Sequence, residues 1–184
     1  NTMTQWQDLM IDLETMGMPP DGAVISIGAC FFDMNKREIG PTFNRVINLA
    51  TAVRDGGTLN PGTIMWWLGQ SDEARKSIRF SGEDIRNVLM DFHGFICEHS
   101  RTVDVKPWAN SNSFDLTMLG SAYMRAGLKT PWSPFRERDF RTVRNLYPTV
   151  EYNPDEKGKG AHNALDDAIF QARHLFKIKN RKQA

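Results

Sequence analysis

Two acidic residues near the start of the chain could bind a metal ion. Asp12 and Glu14 are two residues apart, and aliphatic side chains alternate with them at positions 9, 11 and 13. In a β-strand this spacing projects both carboxylates from one face. Like charges on a central strand repel each other and are costly to desolvate, and a divalent cation would remove that cost. The alternative is an exposed edge strand with ordinary surface acids.

A third carboxylate follows a later strand-like segment. Asp115 comes after the predicted strand 102–109 and a polar loop, so we expect it in the first turn of a helix beside a strand end. Ligand sites in α/β sheets favour such positions. Aspartate is also common in first helical turns, where it interacts with the helix dipole, so Asp115 alone does not identify a site.

A further polar cluster stands at the beginning of the last predicted helix. His162 and Asp167 are five residues apart and share a helical face only loosely, whereas Asp166 is four residues after His162. If His162 lies just before the first full turn, it can lean toward the side that Asp167 faces. The alternative is a capping pair of aspartates and a surface histidine.

The elements that must position these residues include both strands and helices. The pattern predicts strands at 9–14, 23–33, 42–48, 102–109 and 135–138, and among the helices one at 114–125 and a final one at 161–178. This order fits one α/β domain whose mixed sheet is covered by helices on both faces. We expect the domain to span 3–184, because Asn1 and Thr2 precede Met3, the expected natural start.

Charge is distributed unevenly along the chain. A net charge of +1 argues against a strongly basic protein that coats DNA. Residues 1–128 hold 11 basic and 15 acidic side chains, and residues 129–184 hold 12 and 7, which gives −4 and +5. The basic C-terminal part is either a solvated helix or a positive rim that guides phosphates toward an acidic pocket.

Other sequence features exclude several classes of protein. No stretch approaches the roughly 20 apolar residues of a membrane helix, and no basic segment precedes an apolar one at the N-terminus. Cys30 and Cys97 form no CxxC pair, which predicts two reduced, buried thiols and no zinc site. Glycine-rich phosphate loops are absent from the sequence. We therefore expect a cytoplasmic protein with no membrane contact.

Together, the three acidic motifs resemble those of the DEDDh exonucleases. They are Asp12-Leu-Glu14-Thr, Phe-Asp115 after a strand, and His162-x-Ala-x-x-Asp167. Their order, spacing and predicted context match over nearly the whole chain. Relatives in this family include the proofreading subunit of replicative DNA polymerase, RNase T and oligoribonuclease.

A tryptophan pair indicates a narrower branch of that family. The segment 66–75, which begins with Trp66-Trp67, looks like the phage-associated and bacterial 3′–5′ exonucleases often labelled exodeoxyribonuclease VIII. Neighbouring residues on a helix point about 100° apart, so both tryptophans cannot face one core. We expect one to be core and the other to touch the terminal nucleotide or a partner subunit.

The resemblance implies a fold and a role for each motif residue. The fold is ribonuclease-H-like, a single α/β domain with a sheet of about five strands. Asp12 is expected to bridge two Mg²⁺ or Mn²⁺ ions, with Glu14 and Asp167 completing the first site and Asp115 serving the second. Two ions ~3.5–4 Å apart can hold the attacking and leaving oxygens of an in-line phosphoryl displacement. His162 is expected to accept a proton from the attacking water.

The implied function is a metal-dependent 3′–5′ exonuclease that acts on single-stranded 3′ ends or short oligonucleotides and releases nucleoside 5′-monophosphates. Two alternatives are an oligoribonuclease-like RNA trimmer and a catalytically retired nucleic-acid-binding module. Retention of all five motif residues argues against the retired module. DNA and RNA both remain open as substrates, because a 2′-hydroxyl contact depends on side-chain positions that the sequence does not fix. The oligomeric state is likewise open, although relatives are commonly homodimers.

Overall fold

A five-stranded mixed sheet organises the molecule. The computed structural model describes residues 5–79, 82–153 and 163–181. The strands are β1 (Asp8–Thr15), β2 (Val24–Asp33), β3 (Glu38–Val46), β4 (Lys106–Ala109) and β5 (Arg138–Asp139). Their order in the sheet is β3-β2-β1-β4-β5. β1 is antiparallel to β2 and parallel to β4, so the strand that carries the first acidic motif is central.

Seven described helices connect and cover these strands. They are α1 (Leu49–Arg54), α2 (Pro61–Leu68), α3 (Asp72–Arg79), α4 (Ile85–His99), α5 (Asp115–Arg125), α6 (Phe140–Leu146) and α7 (Ala164–Asn180). Helices α4 and α5 contribute to the larger core, on one face of the sheet. Helices α6 and α7 contribute to a second core on the opposite face. The predicted α/β class, the five strands and the helices on both faces are therefore confirmed.

The alternation along β1 assigns its residues to these two faces. Leu9, Ile11 and Leu13 belong to the core that includes α4 and α5. Met10 belongs to the core under α7. Because Asp12 and Glu14 share the parity of Met10, their side chains also project toward the α7 face. The face of β1 that carries the carboxylates is thus covered by the last helix of the chain.

A glycine in β2 lets α7 lie close to the sheet. Gly28 is the partner of Asp12 in the register of β1 and β2. A Cβ atom placed on Gly28 would overlap the backbone of Ala164 and Leu165, in the first turn of α7. Asn163 caps that turn, since its side chain accepts a hydrogen bond from the Leu165 N–H at 2.9 Å. The absence of a side chain at position 28 therefore sets the distance between α7 and β1.

Several sequence predictions on element boundaries and burial were wrong. The strand predicted at 102–109 begins only at Lys106, because the preceding residues form a turn in which the Val105 N–H donates to the Arg101 carbonyl at 3.1 Å. The segment 134–136 is a 3₁₀ turn, not a strand, and β5 follows it. Cys30 is buried as predicted, but Cys97 is exposed, since it follows buried Ile96 by one position on α4 and faces outward. Both thiols are free.

The described helices include none that is long and apolar enough to span a membrane.

Candidate active site

Three carboxylates from the two ends of the chain meet above the centre of the sheet. Asp12 and Glu14 of β1 and Asp167 of α7 each offer an oxygen atom, and these atoms lie within 4.8 Å of one another. Asp12 and Glu14 share one face of a strand, and Asp167 lies in the first turn of the helix that Gly28 admits to that face. The sequence motifs separated by about 150 residues are thus brought together.

Asp115 approaches this group from α5, the helix on the opposite face of the sheet from α7. It is the first residue of α5, only 5% exposed, and its Oδ1 accepts a hydrogen bond from the Leu13 N–H at 3.2 Å. Leu13 lies between the two acidic residues of β1, so this bond fixes Asp115 beside them. Asp115 is not one of the three carboxylates within 4.8 Å, yet all four line one cleft with a volume of about 440 Å³.

The carboxylates of this cleft are costly to ionise in the protein without a bound cation. Burial raises the pKa of Asp12 well above its ordinary value of 3.8, and repulsion from Asp115, Asp167 and Glu14 raises it further. Burial also raises the pKa of Asp115 to about 7, although the hydrogen bond from Leu13 opposes this effect. Closely spaced carboxylates that are costly to ionise together are stabilised by a bound cation. Their oxygen donors fit a hard divalent ion such as Mg²⁺ or Mn²⁺.

One polar side chain supports Asp12 from α7. Gln171 is 3% exposed, and its Nε2 donates to Asp12 Oδ1 at 3.2 Å. It follows Asp167 by four residues and therefore shares its helical face. This amide favours the ionised form of Asp12, against the effect of burial. The sequence analysis missed Gln171, although its spacing from Asp167 was a signal that could have revealed it.

The remaining walls of the cleft come from loops and from α6. Met18 and Pro19 line one part, and Asn110, Ser111, Ser113, Phe114 and Arg141 line another. The loop before α5 is held in place by the Asn112 N–H, which donates to Asp139 Oδ1 at 2.9 Å. No sequence motif marked Arg141, because its position beside the carboxylates depends on how α6 packs.

The tryptophan pair divides between core and surface. Trp67 is 4% exposed, and its indole Nε1 donates to the Thr15 carbonyl at 3.0 Å, one residue beyond Glu14. Trp66 is 46% exposed. The prediction that one of the two belongs to the core is confirmed for Trp67. The role of Trp66 in binding a nucleotide or a partner stays a prediction.

His162 lies outside the described residues. Its predicted role as a general base therefore rests on the sequence motif alone. Of the five predicted site residues, the structure describes four, Asp12, Glu14, Asp115 and Asp167, and all four line the same cleft.

The chain is similar in sequence to known nucleases. The profile of a family described as the 3′-5′ exoribonuclease Rv2179c-like domain matches residues 7–179. An exodeoxyribonuclease of Enterobacteria phage T4 is 32% identical over 126 residues, which cover 61% of this chain and 53% of that protein. The chain thus spans about half the length of this relative.

Solved structures show a similar fold. E. coli exonuclease I in complex with a dA16 oligonucleotide superimposes with a TM-score of 0.70 at 18% identity, over 97% of this chain and 41% of exonuclease I. The nuclease domain of 3′hExo, a DEDDh family member, bound to rAMP, gives a TM-score of 0.60 at 13% identity, over 97% of this chain and 94% of that domain. These likenesses confirm the predicted ribonuclease-H-like fold.

Proposed function

We propose, from the premise that this chain belongs to the family described as the 3′-5′ exoribonuclease Rv2179c-like domain, that it removes nucleotides one at a time from the 3′ end of a nucleic acid. Membership also confirms the resemblance to the DEDDh exonucleases. The observation that carries the proposal is the cluster of Asp12, Glu14 and Asp167, whose oxygen atoms lie within 4.8 Å of one another on an open cleft.

The carboxylates fit two divalent ions, Mg²⁺ or Mn²⁺. Asp12, Glu14 and Asp167 would hold one, and Asp12 and Asp115 the other. Such ions, when bound, supply positive charge that polarises the scissile phosphate and activates water for in-line attack. Without them the ionised form of Asp12 is costly, since burial and three carboxylates act on it together. Gln171 would keep Asp12 oriented through its 3.2 Å hydrogen bond.

His162 is the proposed general base. In the reaction, a water oxygen attacks the phosphorus of the last phosphodiester, and the proton of that water passes to His162. The bond from phosphorus to the 3′ oxygen of the preceding nucleotide breaks, and this oxygen takes up a proton from solvent. The products are a nucleoside 5′-monophosphate and a strand with a new 3′-hydroxyl. An imidazole suits this role because its ordinary pKa lies near neutral pH. This assignment is supported by the His162-x-Ala-x-x-Asp167 motif.

The proposed substrates are single-stranded 3′ ends and short oligonucleotides. The names of the similar proteins support both RNA and DNA as substrates. The family is described by exoribonuclease activity, and the phage T4 relative is named an exodeoxyribonuclease. Trimming of short RNA is therefore the second candidate function. A homodimer and a cytoplasmic location stay predictions from the sequence.

A time course on matched 5′-labelled DNA and RNA strands tests the proposal. With Mg²⁺ we expect progressive shortening from the 3′ end, and with EDTA no cleavage. A 3′-terminal phosphate should inhibit strongly, whereas a blocked 5′ end should have no effect. Degradation of a circular single strand would identify an endonuclease instead. Strand binding without cleavage in either Mg²⁺ or Mn²⁺ would identify a retired binding module.

A further inference from the structure

Arg141 is the one basic residue among the described residues that line the acidic cleft. It is the second residue of α6 and is exposed. Within the described part of the chain, its guanidinium group forms no hydrogen bond or ion pair. Most other arginines in the described part of the chain form hydrogen bonds, ion pairs or ring contacts. Arg54 and Arg86, for example, each form an ion pair with Asp55. A cation on the wall of a binding cleft, with no hydrogen bond or ion pair to any described residue, is available to an anionic ligand.

The backbone of Arg141 is fixed relative to the carboxylates. Its N–H donates to the Asn110 carbonyl at 3.1 Å. Asp139 caps α6 by accepting the Thr142 N–H at 2.9 Å, and it also accepts the Asn112 N–H at 2.9 Å. These bonds attach the start of α6 to the loop that leads into Asp115. Since the backbone is held at several points, a ligand has to order only the side chain of Arg141.

Two serine hydroxyl groups line the cleft together with Arg141. The hydroxyl oxygens of Ser111 and Ser113 are 3.0 Å apart, and both residues line the cleft with Arg141. The charge of Arg141 already acts across this space, since it is among the influences that oppose the effect of burial on the pKa of Asp115. A planar guanidinium can donate two parallel hydrogen bonds to phosphate oxygens, and hydroxyl groups can donate to the remaining ones. The chemistry of this wall therefore matches a phosphate group.

We propose that Arg141, with the hydroxyls of Ser111 and Ser113, binds a phosphodiester of the substrate strand inside the cleft. This inference rests on the proposed exonuclease function and adds a strand-holding residue to it. The acidic cleft would repel a polyanion, and the described part of its lining offers no other cationic side chain. Arg141 thus acts on substrate binding, and its removal should raise KM more than it lowers kcat.

Arg144 offers a matched control on the same helix. Its guanidinium lies 4.7 Å from the centre of the Tyr152 ring, and the residue is not part of the cleft lining. Arg141→Gln and Arg144→Gln remove the same charge from α6. Arg141→Lys keeps the charge but loses the planar pair of donors. Melting temperatures close to that of wild type are expected for both Arg141 variants, because within the described part of the chain the guanidinium forms no hydrogen bond or ion pair and acts on Asp115 and Asp139 only through its charge.

The test measures KM and kcat on a single-stranded oligonucleotide with Mg²⁺, and the Kd of the same labelled strand with Ca²⁺ over a range of salt concentrations. Arg141→Gln should raise KM and Kd roughly 10- to 100-fold, the usual value of a hydrogen bond to a charged group. Its log Kd should depend less steeply on log salt, by about 0.7 for one lost phosphate contact on a single strand. Arg141→Lys should keep the salt slope while binding more weakly than wild type.

A neutral methylphosphonate in the strand then identifies the contacted phosphate. Placed at the terminal linkage in one strand and at the second linkage in another, it removes the charge that Arg141 would bind. At the contacted linkage, the losses from Arg141→Gln and from the methylphosphonate should not add. Full additivity at both linkages, or an Arg141→Gln variant that behaves as Arg144→Gln, would overturn the inference. If wild type neither cleaves nor binds the strand, the proposed function itself fails, which is a separate outcome.

Discussion

The two faces of β1 differ sharply in chemical character. Leu9, Ile11 and Leu13 on one face are buried among the side chains of a large apolar core. Asp12 and Glu14 on the other face belong to a carboxylate cluster that lines an open cleft. A step of one residue along the strand thus separates the part that stabilises the fold from the part proposed to do chemistry. Substitutions on the two faces should accordingly have opposite consequences for stability and activity.

The largest expected contrast is between Asp12→Asn and Ile11→Ala. Asp12→Asn should lower turnover by about 10³-fold or more, since a ligand proposed for both ions is lost, while the protein stays folded. Ile11→Ala should cost about 2–5 kcal/mol of stability through a cavity in the core. Steady-state kinetics and denaturant unfolding of both variants measure this contrast. Near-wild-type activity of Asp12→Asn with Mg²⁺ would contradict the metal assignment.

The next effect concerns His162. His162→Ala should lower kcat by roughly 10²–10⁴-fold, the usual value of a positioned general base, with little change in metal affinity. In wild type the rate should fall as pH drops through the imidazole pKa, ordinarily about 6.5. This decrease at low pH should be absent in the variant. A pH–rate series and calorimetric metal titration of both proteins give the answer. Loss of metal binding in parallel with Asp167→Ala would make His162 a ligand.

A smaller effect is expected from Gly28→Ala, which acts on the distance between α7 and β1. The added methyl group would overlap the backbone of Ala164 and Leu165. A displacement of α7 by about 1 Å can cost roughly 10²-fold in rate, because Asp167 moves away from Asp12. Overpacking should also cost about 1–3 kcal/mol of stability.

Gly94→Ala is the control for this substitution. Gly94 lies inside α4, and a Cβ atom there would meet nothing within 4 Å. The change should stabilise the helix by roughly 0.5–1 kcal/mol and leave the rate unchanged. Equal rates for Gly28→Ala and Gly94→Ala would show that close approach of α7 is not required.

The smallest effect is on the stability of the metal-free protein. Burial raises the folded-state pKa of Asp115 to about 7 and that of Asp12 well above 3.8. At pH values between the ordinary pKa of 3.8 and these raised pKa values, the folded state therefore binds more protons than the unfolded state. The stability that the two groups contribute is fully present below pH 4 and is lost as pH rises through the folded-state pKa.

Thermal melting in EDTA should show this loss as a fall of several °C between pH 5 and 8. Saturating Mg²⁺ should reduce the fall, because a bound cation favours the ionised carboxylates. Asp115→Asn should also reduce it, since its amide does not titrate. A melting temperature in EDTA that rises over this interval would contradict the sign of the shifts.

The acidic motifs were readable from sequence because their geometry is mostly local. Alternation on β1 places Asp12 and Glu14 on one face, and Asp115 and Asp167 both lie in the first turn of a helix. Spacing alone could not show that these four would share one cleft. That result depends on the order of the strands and on the approach of α7 to Gly28.

Other parts of the site lay beyond sequence reasoning for a physical reason. Arg141 contributes to the cleft only because α6 is attached to the loop at Asn110. The start of β4 was predicted four residues too early, since the turn that begins at Arg101 competes with extended backbone. Such features arise from tertiary packing, which overrides local propensity.

The distance in sequence between Asp12 and Asp167 has a consequence for biosynthesis. The first strand of the sheet, β1, is synthesised about 150 residues before α7, the helix that completes the carboxylate cluster. A chain still attached to the ribosome therefore has β1 long before it has α7. Because domains form as the chain emerges, the carboxylate cluster cannot be complete until α7 has been synthesised. A nascent chain that ends before α7 should accordingly lack the proposed metal site.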